Sequence, residues 1–394
     1  MSKPDVFVIG AVRTAIGRFG GTLKDVPLTT LAANVVWSAL EHAGVEPAQV
    51  NHVVMGNVIP TEARDAYLSR VAAIESGIPN TTPAFNVNRL CGSGLQAIIC
   101  AAQSILLGDA EVAIGGGAES MSRSPYMMPA ARWGARMGDT AMVDYMTAVL
   151  HDPFESIHMG ITAENVAARY NVTREMQDRL SVESQQRAAR AIAAGRFKSQ
   201  IVPVEAPAGK GFVRFDTDEC VRPDVTVDQL SKMKAVFKPG GLVTAGNSSG
   251  INDGAAALVL ASGAHVRTTN LKPLARLVAY GHAGVEPAYM GIGPVPATRL
   301  ALERAGLSVN DLDIIESNEA FAAQACAVTQ ELNLDPSKVN PNGSGISLGH
   351  PIGATGAVIA TKAIHELHRT GGRYALATMC IGGGQGIAAI FERV

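Results

Sequence analysis

Ala39-Leu40-Glu41-His42-Ala43-Gly44-Val45 returns in the far part of the chain as Ala301-Leu302-Glu303-Arg304-Ala305-Gly306-Leu307. Each copy reads as the last turns of a helix closed by a glycine, the residue that takes a left-handed conformation without strain. A polar turn and a strand follow in both places, Val53-Val54-Met55 in one and Ile314-Ile315 in the other. Further on, Gly92-Ser93-Gly94 before an apolar helix is matched by Gly343-Ser344-Gly345. Ala110-Glu111-Val112-Ala113-Ile114-Gly115-Gly116-Gly117 is matched by Tyr374-Ala375-Leu376-Ala377-Thr378-Met379-Cys380-Ile381-Gly382-Gly383-Gly384. A period this long is not that of a solenoid. It predicts two similar α/β halves, products of a duplication, packed against each other.

Between the copies the pattern breaks. Pro, Met, Arg and Trp crowd residues 124–133, residues 162–196 have helical character, and a loop-rich run extends to Lys238. Thr173 stands where a helix cap belongs, with Glu175 and Asp178 in the first turn and Gly195 beyond the end, so the insertion holds a real element. After it, Ala255-Ala256-Ala257-Leu258-Val259-Leu260 reads as a buried strand that returns to the first half. The expected organisation is residues 1–120 with 244–270 as one half, 271–394 as the other, and 121–243 as an inserted subdomain able to lie over a long ligand.

Apolar residues make up 47% of the 394 and charged ones 17%, with 41 glycines, the profile of a tightly packed α/β enzyme. A net charge of -2 gives no electrostatic reason to expect nucleic acid; an acidic ligand would have to be met by local positive charge. Met1-Ser2-Lys3-Pro4-Asp5 runs straight into a strand-like Val6-Phe7-Val8-Ile9 without the apolar core of a signal peptide, which points away from export. Residues 95–107, the most apolar helical stretch, fall short of the ~20 residues a membrane span needs and read as a buried helix, so no membrane partner is expected. Cys91, Cys100, Cys220, Cys326 and Cys380 form no C-x-x-C pair, so neither a disulfide framework nor a metal site is suggested, and free thiols in a reducing cytoplasm fit.

Four places carry chemistry. Cys91, in Asn88-Arg89-Leu90-Cys91-Gly92-Ser93-Gly94-Leu95, sits where an extended segment gives way to an apolar helix. The positive end of a helix lowers a thiol's pKa, and flanking glycines leave backbone N–H groups free for an oxyanion. His350 lies in a glycine-dense turn, Gly349-His350-Pro351-Ile352-Gly353, inside the repeat partner of the Cys91 region. The two are expected to face each other near a pseudo-twofold axis as an activated nucleophile pair. Cys380 precedes glycines at a strand end, where a second thiol is able to exchange protons with a carbon acid; a plain strand-end cysteine is the other reading. Asn318, in Asn318-Glu319-Ala320-Phe321, follows a strand and opens a helix, so it is either an N-cap or an amide that positions a water toward an oxyanion.

Residues 88–95, 318–321, 343–356 and 380–386 resemble, in order, the signature motifs of the thiolase family, and the likeness runs from Arg13-Thr14-Ala15-Ile16-Gly17 to the last strand. The resemblance implies a duplicated α/β/α core in five layers with an inserted α+β loop domain. It implies Cys91 as the acylated nucleophile, His350 as its activator, Cys380 as second acid/base and Asn318 as holder of a water in one oxyanion hole. The backbone N–H groups of Cys91 and Gly382 would form the other. It also puts His158, Met159 and Ser249 along the pantetheine arm of coenzyme A and Arg222 near its adenine nucleotide end. Coenzyme A thioesters are then substrates, with no permanently bound cofactor, in a reversible Claisen condensation to a 3-oxoacyl-CoA through an acyl-cysteine. Cys91-Gly92-Ser93-Gly94 resembles the biosynthetic short-chain members; a degradative thiolase of broader chain length is the alternative, decided by packing around residues 151–159 and Met290. Residues 124–145 resemble the loop that assembles thiolase dimers, so a cytoplasmic dimer of dimers is expected.

Three other classes fit these residues less well. A dinucleotide-dependent oxidoreductase would use glycine-rich turns, but neither Gly115-Gly116-Gly117 nor Gly382-Gly383-Gly384 completes G-x-G-x-x-G at the first strand–helix turn. A ketoacyl synthase would carry a second histidine where this chain has Asn318. A non-catalytic acyl-CoA carrier on the same scaffold would have no need of Cys91, Asn318, His350 and Cys380 together.

Overall fold

The first half runs β1 (Val6–Thr14), α1 (Leu28–Ala43), β2 (His52–Gly56), α2 (Leu68–Glu75), β3 (Ala84–Val87), α3 (Ser93–Leu107) and β4 (Val112–Ser120). The insertion follows, carrying α4 (Met159–Arg169) and α5 (Arg174–Ala193), and then β5 (Asn252–Ser262) closes the half. The second half repeats the order as β6 (Ala275–Gly284), α6 (Pro294–Ala305), β7 (Ile314–Ser317), α7 (Ala322–Glu331), α8 (Thr355–Thr370), β8 (Tyr374–Ile381) and β9 (Gln385–Arg393). The computed structural model describes residues 5–394; residues 1–4, the start of the N-terminal stretch read above, lie outside the described residues.

The strands form one sheet in the order β7-β8-β9-β6-β1-β5-β4-β2-β3. Its two wings are paired alike. Strands β3, β2 and β4 run parallel, as do β7 and β8, while β4-β5-β1 and β8-β9-β6 are antiparallel. The counterpart of β3 shrinks to a single parallel bridge between Ile315 and Val339. Even an irregularity repeats: β1 bulges between Val8 and Gly10 against β5, and β6 between Leu277 and Ala279 against β9. A bulge is an extra residue in one strand, and its recurrence at one step of both copies is a mark of duplication. The helix ends quoted first also match, with Gly44 and Gly306 in left-handed conformation at φ 64° and 66°. The wings meet where β1 runs antiparallel to β6.

Two of the sequence matches are corrected. The counterpart of α3 is α8, so Gly94 corresponds to Gly356; Gly343-Ser344-Gly345 instead leads into a separate turn of helix, Gly345–Leu348. Gly115-Gly116-Gly117 lie inside β4, whereas Gly382-Gly383-Gly384 form the turn after β8. Short glycine runs recur wherever backbones must approach or turn, so they align poorly without the elements around them. At the true correspondence the two helices touch. A Cβ on Gly94 would stand 2.8 Å from the Ala357 nitrogen, and one on Gly356 would stand 2.2 Å from the Leu95 nitrogen.

This crossing sets the layers. Helices α1 and α2 cover one outer face with Leu31, Val35, Leu68 and Ala72 in the core. Helices α3 and α8 fill the middle with Leu95, Ile98, Val358 and Ile364. Helices α6 and α7 close the far face with Leu302, Ala323 and Val328, joined there by α4. The Leu90–Leu107 stretch is apolar enough by composition to cross a membrane, but 61% of it is buried inside the protein. A helix apolar all round belongs in a core of this kind.

The insertion is tied down by charge. Arg13 of β1 pairs with Asp218 through Nη1–Oδ1 at 2.7 Å and Nη2–Oδ2 at 2.9 Å, both side chains fully buried. Residues 162–196 are two helices and not one run: the chain breaks at Asn171, which takes φ 54°, and Thr173 restarts it by accepting a hydrogen bond from the Met176 N–H at 3.2 Å.

Candidate active site

Cys91 precedes Gly92, the N-cap of α3. The turn that delivers it is strained, because Leu90 has φ 47°, a conformation uncommon outside glycine. It is held by three hydrogen bonds: Leu90 N–H to Asn88 Oδ1 at 2.9 Å, Arg89 N–H to Ser93 Oγ at 2.9 Å, and the Ser93 hydroxyl to the Leu90 carbonyl at 2.6 Å. The sulfur opens into a cavity of about 470 Å³ that His350, Cys380 and Gly382 also line. The insertion supplies the other wall through His158, Met159 and Arg222, and Ser249 stands at the segment that returns to the core.

The thiol is not pre-ionised. Burial pushes Cys91 up to about 11, while the backbone N–H groups of Gly382 and of Cys91 itself pull the other way. The lowered pKa expected from the helix terminus is therefore reversed, because desolvation of a charge outweighs a partial dipole. Both N–H groups therefore lie beside the sulfur at the mouth of the cavity. Cys380, 1% exposed, is shifted upward too, by burial and then by the neighbouring Cys91 sulfur.

His350 is buried at 5% exposure, and burial depresses it to about 4, so the ring is neutral at pH 7. Its backbone N–H donates to Asn252 Oδ1 at 2.8 Å and its Nδ1 lies 2.7 Å from Thr355 Oγ1. Asn318 Nδ2 is 3.4 Å from Nε2 and 3.5 Å from Nδ1. Asn318 is not a cap, since Phe321 occupies that position before α7. Among the described residues its buried Oδ1 has no hydrogen-bond partner.

Glu119 secures the floor. Its carboxylate accepts from Val58 N–H at 3.0 Å and Gly353 N–H at 2.8 Å on one oxygen, and from Ile59 N–H at 3.0 Å and Asn57 Nδ2 at 2.9 Å on the other. It thus staples the first half to the loop that carries His350, although burial pushes it up to about 8. On the opposite wall His158 caps α4, its Nδ1 accepting from Gly160 N–H at 3.0 Å, so Nε2 carries the ring proton. Its ring stacks on Phe237 with centroids 4.6 Å apart, and burial lowers its pKa.

Of the site residues named from the sequence, Cys91, His158, Met159, Arg222, Ser249, His350, Cys380 and Gly382 line one cavity, and Asn318 does not line it but lies against the His350 ring. Asn252, Thr355, Glu119 and Phe237 were missed. Thr355 lies within residues 343–356, one of the four motif segments, and Asn252 opens β5, the strand that returns to the first half; Glu119 and Phe237 have no local signal.

Comparison with known proteins gives the same picture. The model of the thiolase N-terminal domain matches residues 6–264 and that of the thiolase C-terminal domain residues 271–393. Beta-ketothiolase BktB of Cupriavidus necator is 66% identical, with 99% of each chain covered. An acetyl-CoA acetyltransferase of Chromobacterium violaceum is 51% identical over 99% of this chain and 100% of its own. The human mitochondrial 3-ketoacyl-CoA thiolase in complex with CoA superposes with a TM-score of 0.96 at 45% identity, covering 99% of this chain and 98% of that one. Matched over nearly its whole length by both domain models and by relatives of this identity, the chain belongs to the thiolase family.

Proposed function

We propose that this protein is a β-ketothiolase that joins acetyl-CoA to acetyl-CoA or another short acyl-CoA, releasing CoA, and that cleaves the 3-oxoacyl-CoA with CoA in reverse. The observation that carries the reading is the convergence of two sulfurs and a neutral imidazole at one cavity, with the Asn318 amide against the imidazole.

The chemistry follows from the protonation states. Cys91 attacks the thioester carbon as Nε2 of His350 takes its proton, which avoids a free thiolate in a site that disfavours one. The tetrahedral oxyanion collapses, the CoA thiolate departs with the Cys380 proton, and an acyl-Cys91 remains. Cys380, now a thiolate held at high basicity by burial, removes a methyl proton from acetyl-CoA. The carbanion attacks the acyl carbon, Cys91 leaves, and the proton on His350 returns to it. One oxyanion is received by the N–H groups of Cys91 and Gly382, the other by His350 with a water on Asn318, at ~3 kcal/mol per well-placed donor.

His158, Met159 and Ser249 are assigned to the pantetheine arm and Arg222 to the nucleotide end, with residues 121–243 as the lid between the halves formed by 1–120 with 244–270 and by 271–394. The proton on His158 Nε2 supports the first, since it gives a donor for an amide carbonyl. CoA thioesters are the substrates and no bound cofactor is invoked. Trp133 at 83% and Met137 at 97% exposure support an assembly into a dimer of dimers through that loop. Five free thiols are in keeping with a cytoplasmic setting. Mixing the protein with acetoacetyl-CoA and CoA should bleach the 3-oxo thioester absorbance, and a series from four to ten carbons should favour the shortest. Turnover that needs nicotinamide, or none at all, defeats the reading.

A further inference from the structure

We propose that Thr355 is the positioning residue that sets the tautomer of His350, and so decides which ring nitrogen receives the Cys91 proton; this rests on the role given to His350 above.

Thr355 Oγ1 stands 2.8 Å from the Pro351 carbonyl oxygen and 2.7 Å from His350 Nδ1. Two oxygens that close repel unless a hydrogen lies between them, and the carbonyl has none to give. The hydroxyl proton is therefore committed to Pro351, whose carbonyl also receives the Ala354 and Thr355 N–H groups at 2.9 Å each. A hydroxyl has one proton and two lone pairs, so toward His350 it is able only to accept. Nδ1 must carry the ring hydrogen, and Nε2 is left with its lone pair.

Asn318 Nδ2 lies against the same ring, 3.4 Å from Nε2 and 3.5 Å from Nδ1, too evenly placed to favour either tautomer, so the Thr355 contact decides the layout. The ring has little freedom to answer otherwise: its backbone is pinned to Asn252, and Thr355 is the first residue of α8, a long buried helix. A base tautomer fixed by a partner on a rigid element is the arrangement that proton transfer from a thiol demands.

Thr355→Val keeps the branched shape and removes the acceptor. The buried Nδ1–H then loses its partner and the ring moves its hydrogen to Nε2, where it blocks transfer from Cys91. We expect kcat for thiolysis to fall about tenfold, the factor one hydrogen bond is worth, with KM for CoA within about twofold. Alkylation of Cys91 by iodoacetamide should slow in proportion, and Thr355→Ser should restore both. Two controls separate the inference from its foundation. If His350→Ala slows alkylation but Thr355→Val does not, the inference falls alone; if His350→Ala leaves alkylation unchanged, the Cys91–His350 pairing falls with it. A KM that rises as far as kcat falls, or no rescue by serine, assigns Thr355 to structure only and overturns the proposal. Should Thr355→Val not fold, nitrogen-15 histidine spectra of the unaltered protein read the tautomer directly: a protonated Nδ1 on His350 is expected, and a protonated Nε2 refutes it.

Discussion

Asp218→Ala tests how the insertion is held to the core and what that hold does for the ligand. Asp218 is fully buried and both its oxygens are engaged by the Arg13 guanidinium; Oδ1 also accepts the Ile16 N–H at 2.9 Å. Removal of the carboxylate leaves a buried cation that cannot shed its proton, with two guanidinium donors and one backbone donor unpaired. Breaking such a pair costs ~3–5 kcal/mol, a large part of the ~5–15 kcal/mol by which a domain is stable. Arg222 follows Asp218 closely in the chain and lines the cavity, so loosening here should raise KM for CoA more than it lowers kcat. Urea unfolding gives the first quantity and thiolysis kinetics the second. The double variant Arg13→Met with Asp218→Leu should lose less stability than either single change, because no unpaired charge remains. A shift under ~1 kcal/mol for Asp218→Ala, or a double variant worse than the sum of the singles, refutes this account.

Cys380→Ser should still acylate Cys91 but fail to condense, so a rapid-quench experiment with acetyl-CoA should trap acetyl-enzyme; absence of that species contradicts the division of labour. Gly356→Ala forces a Cβ to 2.2 Å from a backbone nitrogen and should cost ~1–3 kcal/mol of stability, read as a lowered melting temperature, whereas Gly211→Ala, which meets nothing within 4 Å, should not. A folded-state pKa of about 4 for His350 against an ordinary 6.5 means that the unfolded chain binds the proton first. Its stability contribution is present above pH 6.5 and is lost as pH falls toward 4, up to ~3 kcal/mol. His350→Asn should flatten that part of the urea midpoint between pH 7 and pH 5; an unchanged slope means the ring is already charged. Glu119, raised to about 8, acts with opposite sign, its contribution lost as pH rises from 4.5 toward 8, so only the difference between variant and parent is informative.

Helix ends at Gly44 and Gly306, the order of elements in each half and the four segments around Cys91, Asn318, His350 and Cys380 were legible in the sequence by itself, because periodicity, capping and turn chemistry are properties of neighbouring residues. Tertiary structure alone decided the rest. It matched Gly94 to Gly356, since only the crossing of α3 and α8 says which glycines meet. It also raised the Cys91 thiol instead of lowering it, because desolvation depends on everything packed around the sulfur. Asn318 became a buried amide against the His350 ring and not a cap, and Glu119 came to hold Gly353, 234 residues away in the chain. A hydrogen-bond partner or a dielectric environment brought from such a distance has no trace in local sequence, and those are what fix where each proton sits.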